Sequence, residues 1–200
     1  GKEKLKEIRN GVSVLWAIVG LNALVFLGML HQVTNGAEEL TAGYDWGATF
    51  GPSMADGQWW RLLSANYVHF GFSHLFFNML FLLFVGSMVE GLLGRKAFLF
   101  LYTVTGVFGA LLSVLMNDGF VVSAGASGAV FGVFGASLVF VFPRGDIVPV
   151  TVLRKHAIFL CTFIGYQLLG VAESNGVDHA AHAGGFLSGF VFATILSHRL

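Results

Sequence analysis

Six apolar stretches, at about 12–30, 74–93, 97–116, 126–142, 157–172 and 180–197, leave this chain few ways to fold. Roughly 20 apolar residues cross the hydrocarbon of a bilayer as a helix. No water is available there to satisfy a bare backbone, so a spanning segment must be a helix or part of a closed barrel. Runs of this length predict helices, and hence an all-α membrane protein: a six-transmembrane-helix bundle. Composition agrees, with 56% hydrophobic and only 11% charged residues, and 27 glycines. Glycine enrichment in long apolar runs suits helices that pack closely within a membrane.

The charges orient the bundle. Lys2, Lys4, Lys6 and Arg9 precede the first run, Arg95 and Lys96 lie between the second and third, and Arg144, Arg154 and Lys155 lie between the fourth and fifth. Arg199 follows the last, and only Arg61 falls on the opposite side. Basic residues collect on the cytoplasmic side, which predicts both termini cytoplasmic. Residues 1–11 read as a cytoplasmic N-terminal segment and 12–200 as a single six-span membrane domain. The first run is long for a signal peptide and no cleavage pattern follows it. Zero formal net charge and the lack of a basic patch speak against nucleic-acid binding. The single cysteine, Cys161, precludes an intrachain disulfide. The connection 31–73 is too long for a plain linker. Its Trp59-Trp60-Arg61 suits the headgroup layer. Asn22, in the middle of the first run, calls for a partner on a neighbouring helix.

Topology then sets depths. Spans 2, 4 and 6 all run inward from the outer side. His74 and Asn78 begin span 2, Ser127 begins span 4 and His182 begins span 6, so all four share one level in the outer part of the bilayer. Small-residue stripes add a reason for contact: Gly128, Gly132, Gly135 and Ala136 in span 4, and Ala181, Gly185, Gly189 and Ala193 in span 6. Such stripes let helix backbones approach closely. His182 lies about 20° around its helix from Gly189, at ~100° per residue, and Ser127 flanks the stripe of span 4.

This constellation has the parts of an acyl-transfer site. A serine hydroxyl needs a base to take its proton, and histidine is the usual one. The oxyanion that forms needs fixed donors. His74 and Asn78, four residues apart, project from one helix face and can supply two; the Ser127 N–H, near a helix N-terminus, can supply a third. Blander readings exist. A serine among glycines can simply pack, and a His-Asn pair can tie helices together. A histidine inside a span is functional by default. A metal site is the competing chemistry, since His69, His74, His179 and His182 all fall on the outer side and His179 and His182 have a workable ligand spacing. No acidic ligand is spaced with them: Asp118, Glu173 and Asp178 read as loop charges, His69 and His179 as loop or interfacial histidines, and Glu90 as the anchor of a polar network near the inner end of span 2. A transporter is disfavoured by the lack of broken-helix pairs or inverted halves.

From about Trp59 onward the sequence resembles the rhomboid family of intramembrane serine proteases. The matching pieces are His74-x-x-x-Asn78, Gly86-x-x-x-Glu90-x-x-x-Gly94, Tyr102-x-x-x-Gly106, Gly125-Ala126-Ser127-Gly128, Ala181-His182-x-x-Gly185 with Gly189 beyond, and Trp60-Arg61 in the first loop. The first span and residues 31–58 carry no such motif. The resemblance implies a Ser-His dyad, with Ser127 as nucleophile and His182 as general base and then acid. It implies an oxyanion hole of His74, Asn78 and the Ser127 N–H, with Gly125 and Gly128 in support and Phe131 placed against the catalytic histidine. It implies cleavage of single-span transmembrane substrates near the outer face, with lipid as the surroundings and no cofactor or metal. The first loop is expected to lie laterally in the outer leaflet, residues 173–179 to cap the site and span 5 to act as a movable wall. A bacterial inner (plasma) membrane is the expected location.

Overall fold

The computed structural model describes residues 13–117, 120–141 and 177–197, together with 151, 154, 157–158 and 161–163. The N-terminal segment 1–11, most of span 5 and residues 173–176 of the expected cap lie outside these residues. The described chain is helical. Helix α1 is Val14–Thr34; three short helices follow in the first loop, α2 Glu39–Asp45, α3 Gly51–Ala55 and α4 Arg61–Ser64. A 3-10 turn at Ala65–Tyr67 leads to α5 Phe72–Leu93, α6 Arg95–Met116, α7 Ser127–Val141 and α8 His179–Ser197. Among the described residues the only β pairing is one isolated antiparallel bridge, Thr49 with Ser123.

Helices α1, α5, α6 and α8 are long and apolar enough to cross a membrane, and α7 is a shorter apolar helix. α1 runs four residues beyond the expected 30, because His31-Gln32-Val33-Thr34 continue the helix until Asn35 closes it. Gly94 turns α5 directly into α6 in a single residue, at φ +80°, a conformation that favours glycine.

The start of α1 and the end of α5 are tied by one acid. Glu90 accepts from the Ser13 hydroxyl and, at 2.8 Å, from the Val14 N–H. Ser13 in turn caps α1 by accepting from the Leu15 N–H. Glu90 is thus the polar anchor the sequence suggests. Asn22 is fully buried; its amide donates at 2.8 Å to the Ile18 carbonyl of its own helix, and its side chain also interacts with Tyr102 of α6.

α6, α7 and α8 form the centre. Within lipid no hydrophobic force drives one helix onto another, so close van der Waals contact must do so. The glycine stripes provide it. The Gly128 carbonyl oxygen occupies the place a Cβ on Gly185 would take, and the Gly132 carbonyl oxygen does the same to Gly189. A Cβ on Gly135 would lie 2.5 Å from the Phe186 carbonyl oxygen. Gly184 and Gly109 similarly let α6 and α8 touch, with the Phe108 and Ala181 carbonyl oxygens 2.9 and 2.8 Å from the Cβ positions. These obstacles are backbone and cannot swing aside.

Overpacking a close-packed interior costs about 1–3 kcal/mol. Gly189→Ala is therefore expected to lower unfolding stability in detergent by about that much. Gly20→Ala, with nothing within 4 Å of its Cβ position, is expected to leave it unchanged or raised. Denaturant titration of both variants checks the contrast; equal stability would refute the backbone contact.

Candidate active site

Three parts of the chain fix the start of α7. Thr49 and Ser123 exchange backbone hydrogen bonds at 2.8 and 3.0 Å, and the Gly125 N–H donates at 2.9 Å to the Ala65 carbonyl. The Ala126 N–H donates at 3.2 Å to His69 Nε2. Ser127 then opens the helix, buried, where first-turn amides lack intrahelical partners. Gly125 stands at φ +132° with the His74 ring beside it. A Cβ there would meet His74 Nε2 at 2.8 Å and Ser127 Oγ at 3.8 Å. Only a hydrogen fits between that imidazole and the serine.

On α8, His182 is buried and stacks on Phe131 of α7, ring centroids 4.3 Å apart and planes 26° from parallel. Phe131 lies four residues beyond Ser127, on the same face of α7. The residues next to the two candidates also touch. The Ala181 carbonyl oxygen is 3.3 Å from the Cβ position of Gly128. Phe163 closes the far side of this cluster, 4.6 Å from Phe131 and 6.2 Å from His182 by ring centroids. No hydrogen bond joins Ser127 to His182 among the described residues. Catalytic hydrogen bonds are often long before substrate arrives and tighten in the complex. Asn78 is buried and donates at 3.0 Å to the His74 carbonyl; its amide carries a second donor hydrogen. A cavity of about 20 Å³ touches Ser127, Thr49, Asn66, Ser123 and Asp178. That is room for about one water among polar groups.

Three residues are held in ways the sequence does not show. Arg61 is buried, while Trp59 and Trp60 beside it are exposed. Its guanidinium donates to the carbonyls of Tyr44 at 2.6 Å and Ala48 at 3.0 Å and to the Gln58 side chain at 2.7 Å. It also lies 4.0 Å above the centre of the Tyr44 ring. Because five fixed donors can serve several carbonyls at once, this one side chain gathers the first loop. His69 lies in the loop before α5. It is fully buried, packs edge-on to His74 at 4.9 Å and holds the amide just before the serine. Burial pushes its imidazole well below the ordinary value, and the neighbouring His74 adds to that against the Tyr67 carbonyl.

Asp178 lies in the loop before α8 and is half-buried. It accepts from the Ala181 N–H at 2.9 Å, the Ser123 hydroxyl at 2.5 Å, the Ser113 hydroxyl and, more distantly, the Asn117 amide at 3.5 Å. Burial alone would raise its carboxyl, but the bonds from Ser113, Ser123, Ala181 and Asn117 together hold it below the usual range. A helix-capping signal was available, since an Asp preceding His179-Ala-Ala181-His182 stands at the preferred N-cap position. His179 is the exposed first residue of α8. Among the described residues no three His, Cys, Asp or Glu side chains gather as metal ligands would.

A buried neutral His69 gives a sign to pH dependence. Its folded value lies below the ~6.5 of a free histidine, so its contribution to stability is present above that pH and is lost as pH falls further. His69→Gln, which keeps an acceptor for the Ala126 N–H, is expected to flatten the fall in stability between about pH 6.5 and 4.5. Unfolding titrations across that range test it; an unchanged slope would contradict it.

The family model for the rhomboid domain matches residues 56–199. The chain is 33% identical over 181 residues to "Rhomboid protease GluP" of Bacillus subtilis, covering 90% of this chain and 34% of that one. It is 29% identical over 181 residues to "Putative rhomboid protease YdcA" of the same organism, covering 90% and 82%. With "RHOMBOID-like protein 4" of Arabidopsis thaliana it shares 39% over 140 residues, 70% of this chain and 34% of that one. The chain thus spans about a third of the length of two of these relatives and most of the other.

Proposed function

Because this chain belongs to the rhomboid family, we propose that it is an intramembrane serine endopeptidase that cleaves transmembrane segments of other membrane proteins through a Ser127–His182 dyad. The observation that carries the reading is the stack of His182 on Phe131, at 4.3 Å, one turn along α7 from Ser127. It sets the imidazole on the serine's face of the helix, with the Gly128–Ala181 contact keeping the two helices close.

In this reading the Ser127 oxygen attacks a peptide carbonyl carbon and its proton passes to His182. The carbonyl π electrons move onto oxygen, and that oxyanion accepts from the Ser127 N–H, Asn78 and His74. As the intermediate collapses, the C–N bond breaks and His182 returns the proton to the leaving amine. A water then attacks the acyl carbon, losing a proton to His182; as this second intermediate collapses, the C–Oγ bond breaks and His182 returns the proton to the Ser127 oxygen, freeing the carboxylic acid product and the resting dyad. Every proton has a donor and acceptor among these residues, so neither metal nor cofactor is required.

The membrane arrangement belongs to the same proposal. Residues 12–200 form one domain of six spans, with 1–11 and the C-terminus cytoplasmic, in a bacterial plasma membrane. Substrates are single-span proteins whose helix unwinds on entry.

Ser127→Ala and His182→Ala are each expected to abolish cleavage of a single-span substrate in proteoliposomes while preserving the folded protein. Asn78→Ala is expected to lower turnover by about 10–1000-fold, as for loss of one oxyanion donor. Full activity in the Ser127 variant would overturn the dyad, and activity lost on chelation would favour a metal instead.

A further inference from the structure

Asp178 lies four residues before His182 and reaches three separate parts of the protein. Its Oδ1 accepts from the Ala181 N–H at 2.9 Å, which caps the first turn of α8. Its Oδ2 accepts from Ser123, at 2.5 Å, in the segment that leads into Ser127. The same oxygen accepts from Ser113, buried near the end of α6. Asn117 braces the pair, donating to Ser113 Oγ at 3.1 Å. The His182 N–H itself donates at 3.2 Å to the Asp178 carbonyl.

We infer that Asp178 is a positioning residue of the dyad, a carboxylate clamp that fixes the helix carrying His182 against the segment carrying Ser127. This rests on the dyad reading above. The glycine contacts set how closely α7 and α8 approach, but smooth glycine surfaces leave sliding and rotation weakly opposed. Hydrogen bonds are directional, and those to a charged acceptor are roughly twice as strong as neutral ones. A clamp one turn from His182 therefore resists the motions the stripes permit. The carboxyl is held below its usual range, so it is ionised and accepts from both serines at neutral pH. Ser123 is in turn paired to Thr49, so the clamp extends to the first loop.

Capping and clamping come apart by substitution. Asn caps a helix about as well as Asp, so Asp178→Asn keeps the cap. It replaces one acceptor oxygen with a donor, and Ser113 and Ser123 lose their shared charged partner. Ser123→Ala removes the link to the serine segment without touching the cap. Both variants, the double variant, wild type and Ser127→Ala are compared in proteoliposomes by kcat, KM and thermal stability.

The clamp predicts that Asp178→Asn lowers kcat about 10–100-fold and Ser123→Ala about 3–10-fold, with KM within about twofold. The double variant should be no slower than Asp178→Asn alone, because both cut one connection. A purely structural cap predicts wild-type kcat for folded Asp178→Asn and for Ser123→Ala, and that result overturns the inference. Independent, multiplying effects of the two substitutions overturn it as well. If Asp178→Asn does not fold, Ser123→Ala decides alone, with unchanged kcat counting against the clamp. Cleavage by Ser127→Ala would instead overturn the dyad, so the two failures are distinguishable.

Discussion

Backbone-to-backbone contact between α7 and α8 is the constraint on which the rest depends. Lipid tails are as apolar as leucine, so burying side chains gains little inside a membrane, and helices hold together where their surfaces can touch. At Gly128–Gly185 and Gly132–Gly189, carbonyl oxygens fill the space of absent side chains. The same approach carries the His182 ring onto Phe131. A methyl group in this seam would push apart the two helices that bear the candidate nucleophile and base. The small residues are thus part of the site as well as of the fold.

Polar side chains then fix what close contact leaves adjustable. Arg61 gathers the first loop by its carbonyls, Thr49 of that loop pairs with Ser123, and His69 holds the amide before Ser127. Asp178 connects that segment to α8. Each group is buried or partly buried, where an unmet hydrogen bond is costly, so each is strongly held to one geometry. The site is built less by the long helices than by the loops these groups pin to their ends.

The sequence made the long-range plan readable because lipid permits so few solutions. Apolar run length located the five long described helices to within a few residues, and the small-residue stripes identified the faces of α7 and α8 that meet. Glu90 could be read as an anchor since a carboxylate in an apolar helix must find donors. The hydrogen bonds that hold Arg61, His69 and Asp178 were not legible, for a common reason. Each residue lies outside a long apolar run, where sequence alone makes a polar residue look solvated. Their burial comes from loops folding back over the helix ends, a tertiary event with no periodicity in the chain.

The central claim is that Ser127 is a nucleophile activated by His182. Its most direct test is reaction of the folded protein in lipid with a serine-directed fluorophosphonate, followed by mass spectrometric mapping of the adduct. A single adduct on Ser127, formed by wild type and lost in His182→Ala, is the result expected. An adduct on another residue, or equal labelling of Ser127 without His182, would contradict it.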